Sequence, residues 1–344
     1  MPEYGQFETT YRAAESRYDH LEYRRTGQSG LDLPVFSFGL WQKFGADYPH
    51  QTQRDILLHA FDLGVTHFDN ANRYGPPHRA AEKTFGAVLR RDLGAHRDEL
   101  ILSTKAGGAI GPSPYLRGGS RKSLLTSLEH SLRDLGTDYV DIFYSHRPDL
   151  TVPLEETVGA LVSAVRQGKA LYVGISNYAP DRAHEAATLL RQEGVPLLVH
   201  QPRYSIFDRG PELSGLVKVA AADGFGLVVY SPLAQGLLTD KYLADIPAGA
   251  RAENSSFLSP DVIDDTYRQR AGALNEIAKR RGQSLAQLAL QWVLRQPGVT
   301  SALIGASSTW QLDHNLKALD FPALTEGELA EIDRHGVHGT GLRV

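Results

Sequence analysis

Short apolar segments alternate with longer amphipathic segments along most of the chain. The short segments are typical of strands, because they hold about five residues and contain β-branched and aromatic side chains. We predict a strand at each of eight places: residues 35–39, 67–71, 100–105, 139–145, 170–176, 197–201, 226–230 and 301–304.

The amphipathic segments carry apolar side chains at helical spacing. Gly64 follows the first of them and provides a natural C-terminal stop. Strand and helix recur about every 30 residues, which is the size of a βαβ unit. The predicted helices cover residues 50–63, 81–91, 120–135, 154–167, 180–192, 211–222, 266–281, 285–295, 309–318 and a short extra helix at 325–335.

This alternation predicts a single closed (β/α)8 barrel. The alternative is a doubly wound open sheet, but neither a Gly-x-Gly-x-x-Gly loop nor a Walker-type phosphate loop follows any predicted strand. Two apolar segments at 21–24 and 33–35 flank a Gly-rich turn and predict a hairpin that caps one end of the barrel. We therefore divide the chain into a loosely ordered arm at 1–20 and a barrel domain at 21–344. The long segment at 237–259 is expected to be a loop that covers a cofactor.

Composition narrows the function classes. The 344 residues carry a net charge of -4, which leaves no basic surface for nucleic acid. No apolar run approaches the ~18 residues of a membrane helix, so we expect a protein that does not enter a membrane. The absence of cysteine fits a reducing compartment, and we expect the cytoplasm. Without cysteine there is neither a disulfide nor a thiolate metal site. His335 and His338 have helical ligand spacing but lack a third ligand, so we expect no metal.

Four protonatable side chains lie at or just beyond three successive strand ends: Asp69, Tyr74, Lys105 and His146. In a barrel of this class the chemistry lies at those ends. Side chains alternate along a strand, so Ser103 should share the face of Lys105. We expect the ammonium of Lys105, held by Asp69, to lower the pKa of Tyr74. Tyr74 could then protonate a carbonyl oxygen with His146 as a second hydrogen-bonding group, and a nicotinamide would supply the hydride.

These residues resemble the aldo-keto reductases from about Leu21 to Asp333. The resemblance rests on the segments 67–74, 103–105 and 144–149, which look like the family's Asp, Tyr, Lys and His tetrad. It implies that Tyr74 is the proton donor, that Lys105 and Asp69 tune it, and that His146 orients the substrate carbonyl.

The same resemblance implies an NADPH site. Ser176, Asn177 and Gln201 would hold the nicotinamide carboxamide, and Tyr230 would stack on the ring. Many family members carry Arg at the position of Gln311 to bind the 2′-phosphate. Further cofactor contacts are implied for Trp41, Asp69, Ser231, Pro232, Leu233, Gln235, Gly236, Lys241, Gly305, Ser307, Gln311 and Asn315, and the substrate contacts are implied to be Trp41, Tyr74 and His146.

Within the family the motifs look most like the bacterial L-glyceraldehyde 3-phosphate reductase branch, which is also known for methylglyoxal reduction. That branch suggests a homo-oligomer acting on small aldehydes. Arg147, Arg79 and Arg209 are candidate partners for a substrate phosphate. The chain also resembles the potassium-channel beta subunits, which bind NADPH for regulation. Those subunits typically carry Asn at the position of His146, so His146 favours an enzyme.

Overall fold

The computed structural model describes residues 11–247, 250, 252 and 258–340, and the fold within these residues is a closed barrel. Eight parallel strands follow one another around the barrel in chain order, and the last pairs with the first. This confirms the predicted (β/α)8 architecture. The barrel strands are β3 (Phe36–Gly39), β4 (His67–Asp69), β5 (Ile101–Ala106), β6 (Val140–Ser145), β7 (Ala170–Ser176), β8 (Leu197–Gln201), β9 (Gly226–Val229) and β10 (Val299–Ile304).

Helices surround the strands and bury one apolar face each against them. Ser120 caps α3 (Arg121–Leu135) by accepting a hydrogen bond from the backbone N–H of Ser123, and Ser284 caps α9 (Leu285–Leu294) in a capping box with Gln287. The helices are α1 (His50–Asp62), α2 (Ala80–Val88), α3 (Arg121–Leu135), α4 (Leu154–Arg166), α5 (Pro180–Gln192), α6 (Gly210–Leu213), α7 (Leu216–Asp223), α8 (Asp265–Arg280), α9 (Leu285–Leu294), α10 (Thr309–Leu316) and α11 (Glu326–His335).

An antiparallel hairpin of β1 (Tyr23–Arg25) and β2 (Asp32–Pro34) closes the N-terminal end of the barrel. Arg24 donates to the carbonyl oxygen of Val299 at the start of β10, at 3.2 Å. Leu33 is fully buried among side chains of the barrel interior, including Ile142, Val199 and Val228. The predicted hairpin and its capping position are therefore confirmed.

The interior of the barrel is packed, and it changes character along the axis. Apolar side chains such as Leu33, Ile142 and Val199 fill one part, and buried polar side chains run from Ser37 and His67 toward the C-terminal ends of β4 and β5. Gly174 on β7 leaves room for the ring of Tyr144 on β6, because a Cβ atom at position 174 would lie 2.4 Å from that ring. The close fit places Tyr144 beside the polar cluster.

The first described residues pack along the outside of the barrel. The hydroxyl of Tyr11 donates to Asp62 at 2.7 Å, and Arg17 forms an ion pair with Glu99. Residues 1–10 lie outside the described residues, so the boundary of the arm at residue 20 stays a prediction. No helix in the described ranges is long and apolar enough to cross a membrane.

Two predicted helices differ from the structure. The helix predicted at 211–222 is divided into α6 and α7, because Gly215 takes a left-handed φ of 83°. The helix predicted at 81–91 ends at Val88 and continues as one turn of π-helix, Leu89–Leu93. Residues 248, 249, 251 and 253–257 of the loop predicted at 237–259 lie outside the described residues, and within the described part Asp240–Tyr242 forms a 3-10 turn.

Candidate active site

The amino group of Lys105 lies at the centre of the polar cluster. It is fully buried and forms an ion pair with the carboxylate of Asp69. It also donates to the backbone carbonyl of Asn70 at 2.9 Å and to the hydroxyl of Tyr74 at 3.1 Å. These contacts use all three of its N–H groups. The structure thus brings Asp69, Tyr74 and Lys105 together as the strand ends predict.

The bond from Lys105 orients the phenol of Tyr74. The hydroxyl oxygen accepts the N–H of Lys105, so its own proton must point elsewhere. The ring of His146 lies edge-on to the ring of Tyr74, with 6.0 Å between their centroids. A carbonyl oxygen placed between the two side chains could therefore receive a hydrogen bond from each.

The pKa of Tyr74 moves in the direction opposite to our expectation. Burial raises it well above the ordinary value, and the negative charge of Asp69 adds to the effect. Burial also lowers the pKa of Lys105, although Asp69 opposes that change. The predicted lowering of the Tyr74 pKa was wrong, because desolvation and the charge of Asp69 both favour the neutral phenol. The phenol therefore keeps its proton and is available as a donor.

His146 is a neutral imidazole at neutral pH. Burial lowers its pKa well below the usual value, and the positive charges of Lys105, Arg147 and Arg73 lower it further. Its backbone carbonyl accepts a hydrogen bond of 3.0 Å from the side chain of Asn177. His146 can thus act as a hydrogen-bonding group without carrying a charge.

A chain of buried hydrogen bonds supports Asp69 from below. The hydroxyl of Ser103 donates to Asp69 at 2.7 Å, which confirms that Ser103 shares the face of Lys105. His67 lies between Ser103 (3.1 Å) and Ser37 (2.8 Å), and burial lowers the pKa of His67 to about 4. The hydroxyl proton of Ser103 is donated to Asp69, so the Ser103 oxygen can only accept a hydrogen bond from His67. We therefore assign the proton of His67 to Nε2. In this series of hydrogen bonds His67 donates to Ser103, and Ser103 donates to the carboxylate of Asp69.

Four of the predicted carboxamide and ring contacts meet beside this cluster. The hydroxyl of Tyr230 donates to the side-chain oxygen of Asn177 at 2.7 Å, and Ser176 donates to the backbone carbonyl of Gln201 at 2.7 Å. The amide of Gln201 also reaches Asp69 at 3.1 Å. One hydrogen-bonded group thus connects the tetrad to the ends of β7, β8 and β9.

The segment after β9 has a backbone suited to phosphate groups. Ser231, Ala234 and Gln235 all have positive φ angles, of 54°, 46° and 61°, and Gly236 follows with 103°. Successive residues of this kind can turn several backbone N–H groups toward an anion. Pro232 and Leu233 lie within this segment, whereas Lys241 is exposed beyond it, with its ammonium 5.7 Å from the ring of Tyr242.

The loop between β10 and α10 forms the other part of the predicted cofactor site. Gln311 folds back and accepts hydrogen bonds from the backbone N–H and the hydroxyl of Ser307, at 2.8 and 3.0 Å. Asn315 is buried, and its side-chain NH2 has no hydrogen-bond partner among the described residues. Gly305 lies next to Gly39 across the β10–β3 pair. An unsatisfied buried donor and a capped helix N-terminus fit a phosphorylated ligand.

Trp41 lies in the loop after β3, half-buried and packed against the hydrophobic core. No group of three or more side chains suited to holding a metal ion occurs within the described ranges.

The chain matches the model of the aldo/keto reductase family over residues 36–337. It belongs to that family. The aldo/keto reductase assignment makes the protein an oxidoreductase, in agreement with the tetrad that the strand ends bring together.

Relatives of known name extend this picture. The chain is 50% identical to the L-glyceraldehyde 3-phosphate reductase of Escherichia coli strain K12, and the alignment covers 95% of this chain and 96% of that protein. It is 38% identical to a probable voltage-gated potassium channel subunit beta of Oryza sativa subsp. japonica, over 91% of this chain and 96% of that one.

Among solved structures, the holo form of the aldo-keto reductase AKR11C1 from Bacillus halodurans has a similar fold. The superposition has a TM-score of 0.75 at 26% sequence identity, and it covers 94% of this chain and all of that chain. This aldo/keto reductase therefore shares the family fold along nearly its whole length.

Some site residues could not be recognised from the sequence. Asn70 acts through its backbone carbonyl, which residue type does not reveal. His67 and Ser37 join the chain behind Asp69 through contacts between different strands. Their inward positions follow from the two-residue period of each strand, which is the one signal that could have found them.

Proposed function

We propose that this aldo/keto reductase reduces short aldehydes, such as L-glyceraldehyde 3-phosphate and methylglyoxal, with NADPH as the reductant. One observation carries the proposal. The buried ammonium of Lys105 binds Asp69 and Tyr74 at the same time, and this arrangement directs the phenolic proton away from Lys105. The L-glyceraldehyde 3-phosphate reductase of Escherichia coli, at 50% identity, supports the choice of substrates.

Tyr74 is the proton donor in this proposal. When bound, reduced nicotinamide supplies a hydride to the carbonyl carbon, and Tyr74 transfers its proton to the carbonyl oxygen to complete the alcohol. Lys105 donates to the phenol oxygen throughout and stabilises the negative charge that develops there. His146 donates a hydrogen bond to the substrate carbonyl, and a proton from solvent restores Tyr74.

The residues that would hold the cofactor fall into two groups. Ser176, Asn177, Gln201 and Tyr230 would contact the nicotinamide, and Trp41 would border both the nicotinamide and the substrate. The phosphates that join the two halves of the cofactor would be held by the segment after β9 together with Lys241. The adenosine phosphate of the cofactor would be held by Gly305, Ser307, Gln311 and Asn315. The buried donor of Asn315 and the positive-φ segment support this placement of the phosphates.

The direct test is to follow NADPH oxidation with a panel of short aldehydes in the wild type and in Tyr74→Phe. We expect turnover by the wild type and a loss of kcat of about 10²- to 10⁴-fold in the variant, the usual contribution of general acid catalysis. A parallel assay with NADH tests the nucleotide preference. If the wild type and Tyr74→Phe oxidise NADPH equally slowly with every aldehyde, both the role of Tyr74 as proton donor and the reductase function are rejected.

The second candidate is a nucleotide-binding regulatory subunit, which the 38% identity to the probable channel subunit of Oryza sativa favours. Position 146 separates the two candidates, because the channel subunits typically carry Asn there, whereas His146 completes the tetrad of the reductases. Tight NADPH binding without turnover of any short aldehyde would favour the regulatory role.

We further propose that the protein is a cytoplasmic homo-oligomer. The absence of cysteine fits a reducing compartment, and the resemblance to the bacterial reductase branch suggests association of subunits. Light scattering after gel filtration would measure the number of subunits, and a monomer would contradict the second part of this proposal.

A further inference from the structure

Three arginines were candidates for contact with a substrate phosphate, and the structure separates them. Arg79 forms an ion pair with Asp134 at 2.6 Å, and Arg209 forms one with Asp333 at 2.7 Å. Both guanidinium groups therefore already have a carboxylate partner. The guanidinium of Arg147, by contrast, has neither an ion pair nor a hydrogen bond to any residue in the described part of the chain.

A second arginine shares this condition. The side chain of Arg73 also has no ion pair or hydrogen bond within the described ranges, and Arg73 immediately precedes Tyr74. It lies across Gly108 in the loop after β5, because a Cβ atom at position 108 would be 2.1 Å from the Arg73 Cδ atom. A glycine at this position is what allows Arg73 to occupy that place.

The adjacent Gly107 brings the second arginine to the same loop. Its Cβ position would lie 3.7 Å from the backbone nitrogen of His146 and 3.8 Å from the carbonyl oxygen of Arg147. The Gly107–Gly108 turn therefore touches the Arg73 side chain on one side and the backbone at His146 and Arg147 on the other. Two unpaired arginines thus border the mouth of the barrel beside the tetrad.

The positive charges of both arginines act on side chains of the candidate active site. Each lowers the pKa of His146, after burial and Lys105, and Arg147 also lowers the pKa of Tyr230, whose main perturbation is an increase caused by burial. Two guanidinium groups without a carboxylate partner repel one another unless an anion lies between them. This region of the mouth is therefore suited to a ligand that carries negative charge.

We propose that Arg73 and Arg147 form the subsite for the phosphate group of a phosphorylated aldehyde. The inference rests on the proposed reductase function and names the substrate class that the site selects. A guanidinium can bind two phosphate oxygens at once, so each arginine adds charge-assisted hydrogen bonds that an unphosphorylated aldehyde cannot form. The carbonyl of the same molecule would lie between Tyr74 and His146.

The test compares two substrates that differ only in the phosphate, L-glyceraldehyde 3-phosphate and L-glyceraldehyde. Arg147→Gln and Arg73→Gln should each lower the ratio of the two kcat/KM values by about 10- to 100-fold, as expected for the loss of charge-assisted bonds. Gly108→Ala should lower the same ratio, because it displaces Arg73. Turnover of L-glyceraldehyde in each variant reports that the protein is folded.

Arg79→Gln is the matched control, since Arg79 follows Arg73 by six positions and its charge is already paired with Asp134. The ratio should not change in this variant. If Arg147→Gln and Arg73→Gln leave the ratio unaltered, or if the wild type shows no preference for the phosphorylated substrate, the subsite is overturned while the reductase function stands.

A binding experiment keeps the two proposals separable even without turnover. Glycerol 3-phosphate, which has the phosphate but no carbonyl, should bind the NADPH-loaded wild type by calorimetry and should bind Arg147→Gln about 10-fold or more weakly. Absence of binding by the wild type would reject the subsite. Binding by the wild type together with no reduction of any aldehyde would reject the reductase function and retain the subsite.

Discussion

The three hydrogen bonds of Lys105 determine how Tyr74 can act. Two of them hold the ammonium to Asp69 and to the backbone of Asn70, and the third ends on the phenol oxygen. An ammonium fixed in this way stabilises the negative charge that develops on the oxygen as the proton leaves, whereas burial and the charge of Asp69 keep the pKa of Tyr74 well above its ordinary value. Its contribution therefore belongs to the transition state.

The contacts of Lys105 predict the behaviour of Lys105→Met. The substitution should lower kcat by about 10²- to 10⁴-fold and leave NADPH affinity nearly unchanged, because the ammonium acts on Tyr74 and does not anchor the dinucleotide. Single-turnover kinetics and a nucleotide titration measure the two effects separately. An unchanged kcat, or a parallel loss of NADPH binding, would show that Lys105 has a different role.

Elements place these residues, and their geometry was largely predictable. Alternation along β5 predicted that Ser103 and Lys105 share a face, and the contacts of both with Asp69 confirm it. Alternation says nothing about pairs that form between distant segments. Arg79 and Asp134 are 55 positions apart, and Arg209 and Asp333 are 124 apart, so the sequence could not separate these arginines from Arg147.

Element boundaries were limited by a different factor. The helix predicted at 211–222 has suitable apolar spacing, but spacing does not reveal that Gly215 adopts a left-handed φ. The direction of the Tyr74 pKa was also out of reach, because it depends on how completely the closed barrel removes water from that residue. Both failures arise from packing, which a local pattern does not contain.

Two glycines in helical regions offer a matched test of backbone effects. Neither Gly159 in α4 nor Gly215 before α7 has a described neighbour within 4 Å of its Cβ position, but only Gly215 has a positive φ. Gly159→Ala should raise the free energy of unfolding by about 0.5–1 kcal/mol, and Gly215→Ala should lower it by about 1 kcal/mol. Chemical denaturation measures both values, and changes of the same sign would refute the assigned backbone angles.

At the scale of the whole molecule, buried groups set the response of stability to pH. Burial lowers the pKa of His67 to about 4 and that of His200 to about 3, so the unfolded chain binds more protons than the folded chain between those values and about 6.5. Stability from these groups is present above that range and is lost on acidification. Glu82 behaves oppositely, because burial raises its pKa to about 7.

The variant Glu82→Gln tests whether the contribution of Glu82 to stability falls as the pH rises. Below pH 4.5 both the folded and the unfolded wild type carry a neutral Glu82, so the variant should be about as stable as the wild type. As the pH rises from 4.5 to about 7 the wild type loses up to about 3 kcal/mol from this residue, whereas the variant does not. Denaturation at a series of pH values should therefore show an advantage that grows with pH. A difference independent of pH would contradict the buried, protonated state of Glu82.

The hairpin at the N-terminal end closes the barrel on the side opposite the catalytic residues. Leu33 fills the barrel at the end opposite the catalytic residues and helps to exclude water from its interior. The Asp69–Lys105 ion pair is strong only while that interior stays dry. A compound that displaced Leu33 and the hairpin would let water reach the Asp69–Lys105 pair from the N-terminal end of the barrel. Such a compound would inhibit the enzyme without competing with either aldehyde or nucleotide.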